Sequence, residues 1–158
     1  MQLTGHLTYY EACHSYTAKR FGLCNCDYFK GKYIDNAKRV GIEIFEPIRN
    51  HFGVPIKVNS LFRSQKLNML IGGSSTSKHL QALAIDIDDT YSKHLGITNA
   101  DFFYWAKHNL LFDQLIWEFG NDKNPSWVHI GIRKNRDKYR KQILKSFYRN
   151  GIVHYEKY

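Results

Sequence analysis

The 158-residue chain has no apolar run of the roughly eighteen residues that a membrane-spanning helix needs, which excludes a bilayer span of that kind. Its first residues, Met1-Gln2-Leu3-Thr4-Gly5-His6, lack a basic segment followed by an apolar one, so no secretory signal is expected and synthesis in a cytoplasm follows. Internal repeats and low-complexity segments are absent, which excludes solenoids and arrays. Cysteines are few and odd in number: Cys13, Cys24 and Cys26. Cys24-Asn25-Cys26 is not the Cys-x-x-Cys spacing of a metal knuckle or redox pair, and reduced, mostly buried thiols are expected, with an oxidised pair or a second metal site as the alternatives. Acidic residues are scarce, 14 against 23 Lys and Arg, giving a formal net charge of +9. That excess calls for an acidic partner without saying whether it is nucleic acid, an anionic membrane or another polyanion. What the chain does have is 43% hydrophobic residues, with 11 Tyr and 10 Phe, enough to bury one ordinary core. One domain over residues 1–158 is expected.

In chain order, Thr8-x-x-Glu11 fits a capping box opening a short helix through His14. From Lys30 to His51, Ile34, Ala37, Gly41, Ile44, Phe45 and Ile48 recur at three- and four-residue intervals. They predict a long amphipathic helix, kinked or ended near Pro47. Ile56 to Phe62 alternates as a strand, and Ser64 can cap a helix carrying Leu67, Leu70 and Ile71. Thr98-x-x-Asp101 caps a helix to about Asn109, and Phe112 to Phe119 is a further strand with Gln114, Ile116 and Glu118 on one face. His94 has no partner at ligand spacing and is read as a surface residue. Asn135 to Asn150, with Tyr139, Ile143 and Phe147 four apart and Gly151 as a stop, predicts a basic C-terminal helix. Its lysines and arginines are read as a solvated face.

Two stretches carry chemistry. In Leu83 to Asp88, Leu83, Ile85 and Ile87 alternate with Ala84, Asp86 and Asp88. In Val128 to Arg133, Val128, Ile130 and Ile132 alternate with His129, Gly131 and Arg133. If the two runs pair, Asp86 and His129 project from one sheet face, with the small Ala84 and Gly131 beside them. His79, in a Gly/Ser-rich turn just upstream, can fold back over that face. Taken singly, a His in an apolar strand is more often a packed side chain than a ligand, and an Asp ending a strand is usually a turn residue. Two imidazoles and one carboxylate converging on one point are different: they form the three-ligand set of a catalytic zinc site with a fourth position open.

The whole pattern, Ser77-Lys78-His79 through Ala82, Ala84 and Asp86 and on to Trp127-Val128-His129, resembles the zinc-dependent D,D-peptidase family. That family includes D-Ala-D-Ala carboxypeptidases, vancomycin-resistance dipeptidases and phage L-Ala-D-Glu endolysin peptidases. Its usual pattern, Ser-x-His-x-x-Gly-x-Ala-x-Asp, is matched except for Ala82 in place of Gly. Phe62-Arg63-Ser64, Asn68, Gly72-Gly73-Ser74 and the segment from His6 to Asn25 are also similar. The resemblance implies Zn²⁺ held by His79, Asp86 and His129, and an α+β fold: a small, mainly antiparallel sheet with helices on one face and a zinc cleft on the other. It implies Arg63 beside the zinc, polarising the scissile carbonyl or pairing with a substrate carboxylate, and Ser77 hydrogen-bonding substrate. Residues 1–29 would pack as an N-terminal segment on the catalytic unit, with 134–158 as the basic helix and tail. Trp127 could wall the pocket. Many members place an Asp or Glu three residues before the last His, where this chain has Ser126; Glu118 on the neighbouring strand is the replacement candidate for the general base.

The activity so implied is zinc-dependent hydrolysis of a peptide bond in peptidoglycan stem peptides, by a carboxypeptidase or endopeptidase acting as a monomer. Phage or prophage origin would supply an exit route to the wall. The departure at Ser126 leaves an alternative, a catalytically inactive zinc-binding module that binds the wall. A nucleic-acid-binding domain is suggested by charge alone, without any helix-turn-helix or finger spacing, and nucleic acid is not expected as a partner.

Overall fold

In the computed structural model, which describes residues 1–158, Thr8 opens the first helix, α1 (Tyr9–Cys13). The expected capping box forms: Glu11 N–H donates to Thr8 Oγ1, and Thr8 N–H donates to the Glu11 carboxylate. After α2 (Tyr16–Arg20), a 3₁₀ turn (Asn25–Tyr28) returns the chain to α1, and Cys26 is disulfide-bonded to Cys13. The expectation of three reduced thiols is thereby corrected. Cys24 alone is free, and it is exposed. Neighbours in Cys-x-Cys do not pair; the end of α1 and the 3₁₀ turn instead bring Cys13 and Cys26 to a Cα separation of 4.9 Å, a proximity made by the fold. Closing a loop with a sequence separation of 13 restricts the unfolded chain, so Cys13→Ser is expected to cost about 3 kcal/mol. The measurement is the unfolding free energy from denaturant midpoint and slope together, the slope rising as the unfolded chain is released; an unchanged free energy would refute the expectation.

The long periodic stretch forms one helical rod: α3 (Lys32–Val40), a π turn (Gly41–Phe45) and α4 (Glu46–Phe52). The π turn is the form taken by the kink expected near Pro47. Pro47 has no N–H for the ordinary helical ladder, and just before it Glu46 N–H reaches back to Gly41 O.

β1 (Lys57–Ser60) follows, shorter at both ends than its alternation predicts, and Ser64 Oγ then accepts from Leu67 N–H to cap α5 (Gln65–Leu70). Next come β2 (Ala84–Asp88), α6 (Asn99–Asn109) with its Thr98–Asp101 capping box, β3 (Gln114–Glu118) and β4 (Trp127–Gly131). His94 is exposed, as expected.

The chain does not end in a helix. Residues read as a basic C-terminal helix form β5 (Gln142–Arg149), and β6 (Ile152–Lys157) pairs with it as an antiparallel hairpin. The misreading has a simple cause: apolar residues four apart satisfy a period of 2 as well as one of 3.6. Asn150-Gly151 decides between them. Both residues have positive φ, 53° and 75°, the two-residue hairpin turn for which Asn-Gly is preferred.

The six strands form one sheet in the order β1-β2-β4-β3-β5-β6, antiparallel throughout except for the parallel β3–β5 pair. The α+β class and mainly antiparallel sheet agree with the sequence. Ile85, Ile87, Leu115, Trp117, Val128 and Ile130 belong to the same buried cluster as Val40, Ile44 and Ile48 of the helical rod and Phe102, Phe103 and Ala106 of α6. Each such large side chain contributes roughly 1.5–3 kcal/mol by burial, so the helix-covered face is fixed and the residues between project from the other one. No helix is long and apolar enough to cross a membrane.

Candidate metal centre

Strand register builds the centre. β2 and β4 pair with Asp86 opposite His129 and Ala84 opposite Gly131, which puts Asp86 and His129 on one face as the two alternations predict. His79 comes from a 3₁₀ turn (Lys78–Gln81) whose last link, Ala82, is left-handed at φ 51°. That conformation is one glycine adopts without strain. An alanine pays about 1–2 kcal/mol for it, and its fully buried methyl returns about 0.8 kcal/mol.

The three side chains meet. His79 Nε2 lies 3.2 Å from His129 Nδ1 and 3.2 Å from Asp86 Oδ2, and His129 Nδ1 lies 2.8 Å from Asp86 Oδ1. Four bonds of about 2.0 Å in a tetrahedron put ligand atoms about 3.3 Å apart, so this triangle has the size that one zinc-like cation requires. His79 Nδ1 faces the Leu61 carbonyl at 2.9 Å; since a carbonyl only accepts, Nδ1 carries the proton and the Nε2 lone pair is turned to the centre. No other His, Cys, Asp or Glu joins the group. The donor set therefore suits a cation with an open coordination position.

Electrostatics agree. Burial disfavours the charged form of His79 and holds its imidazole below the usual value despite Asp86. For His129 burial acts the same way, but the hydrogen bond and charge of Asp86 outweigh it and raise the value. Burial would push the Asp86 carboxyl up; the two imidazoles hold it well below the carboxylate range, so it is an anion ready to bind a cation.

Arg63, Ser77, Glu118 and Trp127 all line the same cleft as the triad, a cavity of about 880 Å³. Arg63 is held from several sides: its N–H donates to His79 O at 3.0 Å, and its guanidinium donates to Asn68 Oδ1 at 3.4 Å. Asn68 in turn ties the Gly73 and Ser74 carbonyls at 2.9 and 3.1 Å. Glu118 is paired with Trp127, while Ile116 is paired with His129, so Glu118 is a diagonal neighbour of the ligand on the cleft face, about 7–8 Å away between backbones. Ser126 N–H donates to the Glu118 carbonyl at 2.9 Å, so the backbones at these two positions adjoin across the β3–β4 hairpin. Burial pushes the Glu118 carboxyl above its ordinary value, against a bond from the Ser146 hydroxyl. The ring of Phe119 packs on Trp127 and stacks on Tyr148 at 4.6 Å.

Several contributors escaped the sequence reading. Tyr148 and Tyr155 line the cleft from the β5–β6 hairpin, and Ser146 of β5 bonds Glu118. The Asn150-Gly151 dipeptide was the signal that could have found them. Buried Asn25 had no signal: its Nδ2 donates to Cys13 O and Phe62 O at 2.8 and 3.0 Å, and its Oδ1 accepts from Ser64 N–H at 2.8 Å. It braces the strand end that carries Leu61 and Arg63.

A search of the curated proteins finds no match to this chain. The family model described as Peptidase M15 matches residues 6–131. That stretch contains all three members of the triad together with Arg63, Ser77, Glu118 and Trp127, and stops before the β5–β6 hairpin. With four-fifths of its length so matched, this chain belongs to the peptidase M15 family.

Proposed function

We propose that this protein is a zinc peptidase hydrolysing a peptide bond in bacterial peptidoglycan stem peptides. Family membership supports a peptidase, and the 2.8–3.2 Å triangle of His79 Nε2, His129 Nδ1 and Asp86 oxygens is the observation that carries the metal-dependent reading. Zinc in that triangle would supply Lewis acidity toward the scissile carbonyl and bring the pKa of water to about 7. The remaining work falls to this chain's own groups. Glu118, buried and raised by burial, takes a proton from the attacking water and returns it to the leaving amine. The Ser146 hydroxyl, bonded to Glu118, fixes the direction in which the carboxylate points. Arg63 donates to the substrate carbonyl or carboxylate as charge develops, Ser77 hydrogen-bonds the peptide, and Trp127 walls the cleft.

The alternative of an inert wall-binding module is motivated by Ser126 and by Ala82. Glu118, paired with Trp127 and lining the cleft that holds the triad, supports turnover instead. Zinc-loaded protein incubated with purified sacculi is expected to liberate new amino groups, to stop in chelator and to resume when zinc is restored. Undiminished release in chelator would overturn the proposal. The masses of the released fragments distinguish a carboxypeptidase from an endopeptidase.

A further inference from the structure

Along β4 the cleft face carries Trp127, His129 and Gly131, followed by Arg133 just past the strand, so the ligating imidazole sits between an aromatic end and a cationic end. At the cationic end three positive side chains, Lys78, Arg133 and Arg140, face a single carboxylate, Asp113. Asp113 is fully buried and both its oxygens are engaged, by Arg133 Nε at 2.7 Å and Arg140 Nη2 at 2.8 Å. Its ion pairs go to the two arginines, and Lys78 is left as the cation without a carboxylate. The stem of Lys78 crosses Gly131, where an added Cβ would lie 3.7 Å from Lys78 Cγ. That is an ordinary contact distance, so the lysine stem lies beside the strand at this point.

We propose that Lys78, backed by Arg133 and Arg140, forms a subsite for a free carboxylate on a residue flanking the scissile bond. This rests on the peptidase reading above and adds the charge of the substrate to it. Three cations against one carboxylate leave two positive charges at this end, in a concave, partly desolvated site where opposite charge is focused. Gly131 lies two residues from His129, about 7 Å along the strand. An extended peptide covers one to two residues in that distance, which places the recognised anion next to the attacked carbonyl. The fork-like arginines are committed to Asp113, whereas the flexible ammonium of Lys78 can follow the ligand. A C-terminal carboxylate and an internal one offer the same chemistry.

The test uses the full chain stripped of metal, so that no turnover intervenes, and three synthetic stem peptides. One has all carboxylates free, one has its C-terminal carboxylate amidated, and one has the internal carboxylate nearest the scissile bond amidated. Titration calorimetry is expected to show that one of the two amidations weakens binding to the wild type by about tenfold to a hundredfold, the range of a hydrogen bond to a charged group. The amidation that matters names the source. Lys78→Met should abolish that preference, Lys78→Arg should restore part of it, and in the wild type the preference should shrink with added salt. Equal binding of all three peptides by the wild type, binding of none, or a preference surviving in Lys78→Met would overturn the subsite. Cleavage by zinc-loaded protein is read separately. Discrimination without cleavage keeps the subsite and removes the peptidase reading; cleavage without discrimination does the reverse.

Discussion

Glu118→Gln is expected to lower turnover of wall peptides by a factor of about 10² to 10⁴ while zinc content stays at the wild-type level. The substitution keeps the size of the side chain and an oxygen to accept the Ser146 hydroxyl, so the β3–β5 edge of the cleft should stay packed. What disappears is the group that accepts a proton. A carboxylate is required because the imidazoles of the triad are turned to Asp86 and to one another, and the Ser126 hydroxyl is no base at neutral pH. A loss of less than about threefold with zinc retained would remove Glu118 from the chemistry, since general-base catalysis is worth far more.

Removing metal should have the second large effect. With free zinc at about a thousand times its Kd, binding to the folded state alone stabilises by about 4 kcal/mol. For a chain of this size that raises the unfolding midpoint by on the order of 10 °C over chelator-stripped protein. His129→Ala should lose nearly all of that shift, and adding His79→Ala to it should cost little more, because both imidazoles serve one cation and their effects are not additive. A full zinc-dependent shift in His129→Ala would place the binding site elsewhere. Scanning calorimetry of the three proteins, each with and without chelator, reads the effect.

The centre of this molecule was legible because its signal is local and periodic. Alternation over Leu83–Asp88 and Val128–Arg133 allows one face for the core, and once that face is buried Asp86 and His129 share the other; their direct opposition is set by the register. Both capping boxes, at Thr8 and Thr98, were readable for a similar reason: each is closed by residues three apart. The C-terminal hairpin differs from the expected helix because Tyr139, Ile143 and Phe147 suit either period, and Gly151, read as a helix stop, is the second residue of a hairpin turn. The Cys13–Cys26 bond and the Asn25 brace depend on which segments meet in space, for which no pattern along the chain exists. The same holds for the Lys78 subsite. Lys78 looks like any solvated lysine until Gly131, Asp113 and the two arginines are seen around it.

Asp86 and His129 are separated by 43 positions, and His79 and His129 by 50, so the cation's seat exists only after distant segments have met. Closing such loops precedes any reward from the contacts they make, and an interaction that arrives so late barely changes the folding barrier. Its weight falls on the reverse step. A cation bound there would therefore act as a brake on opening, lengthening the lifetime of each folded molecule more than it hastens the birth of the next.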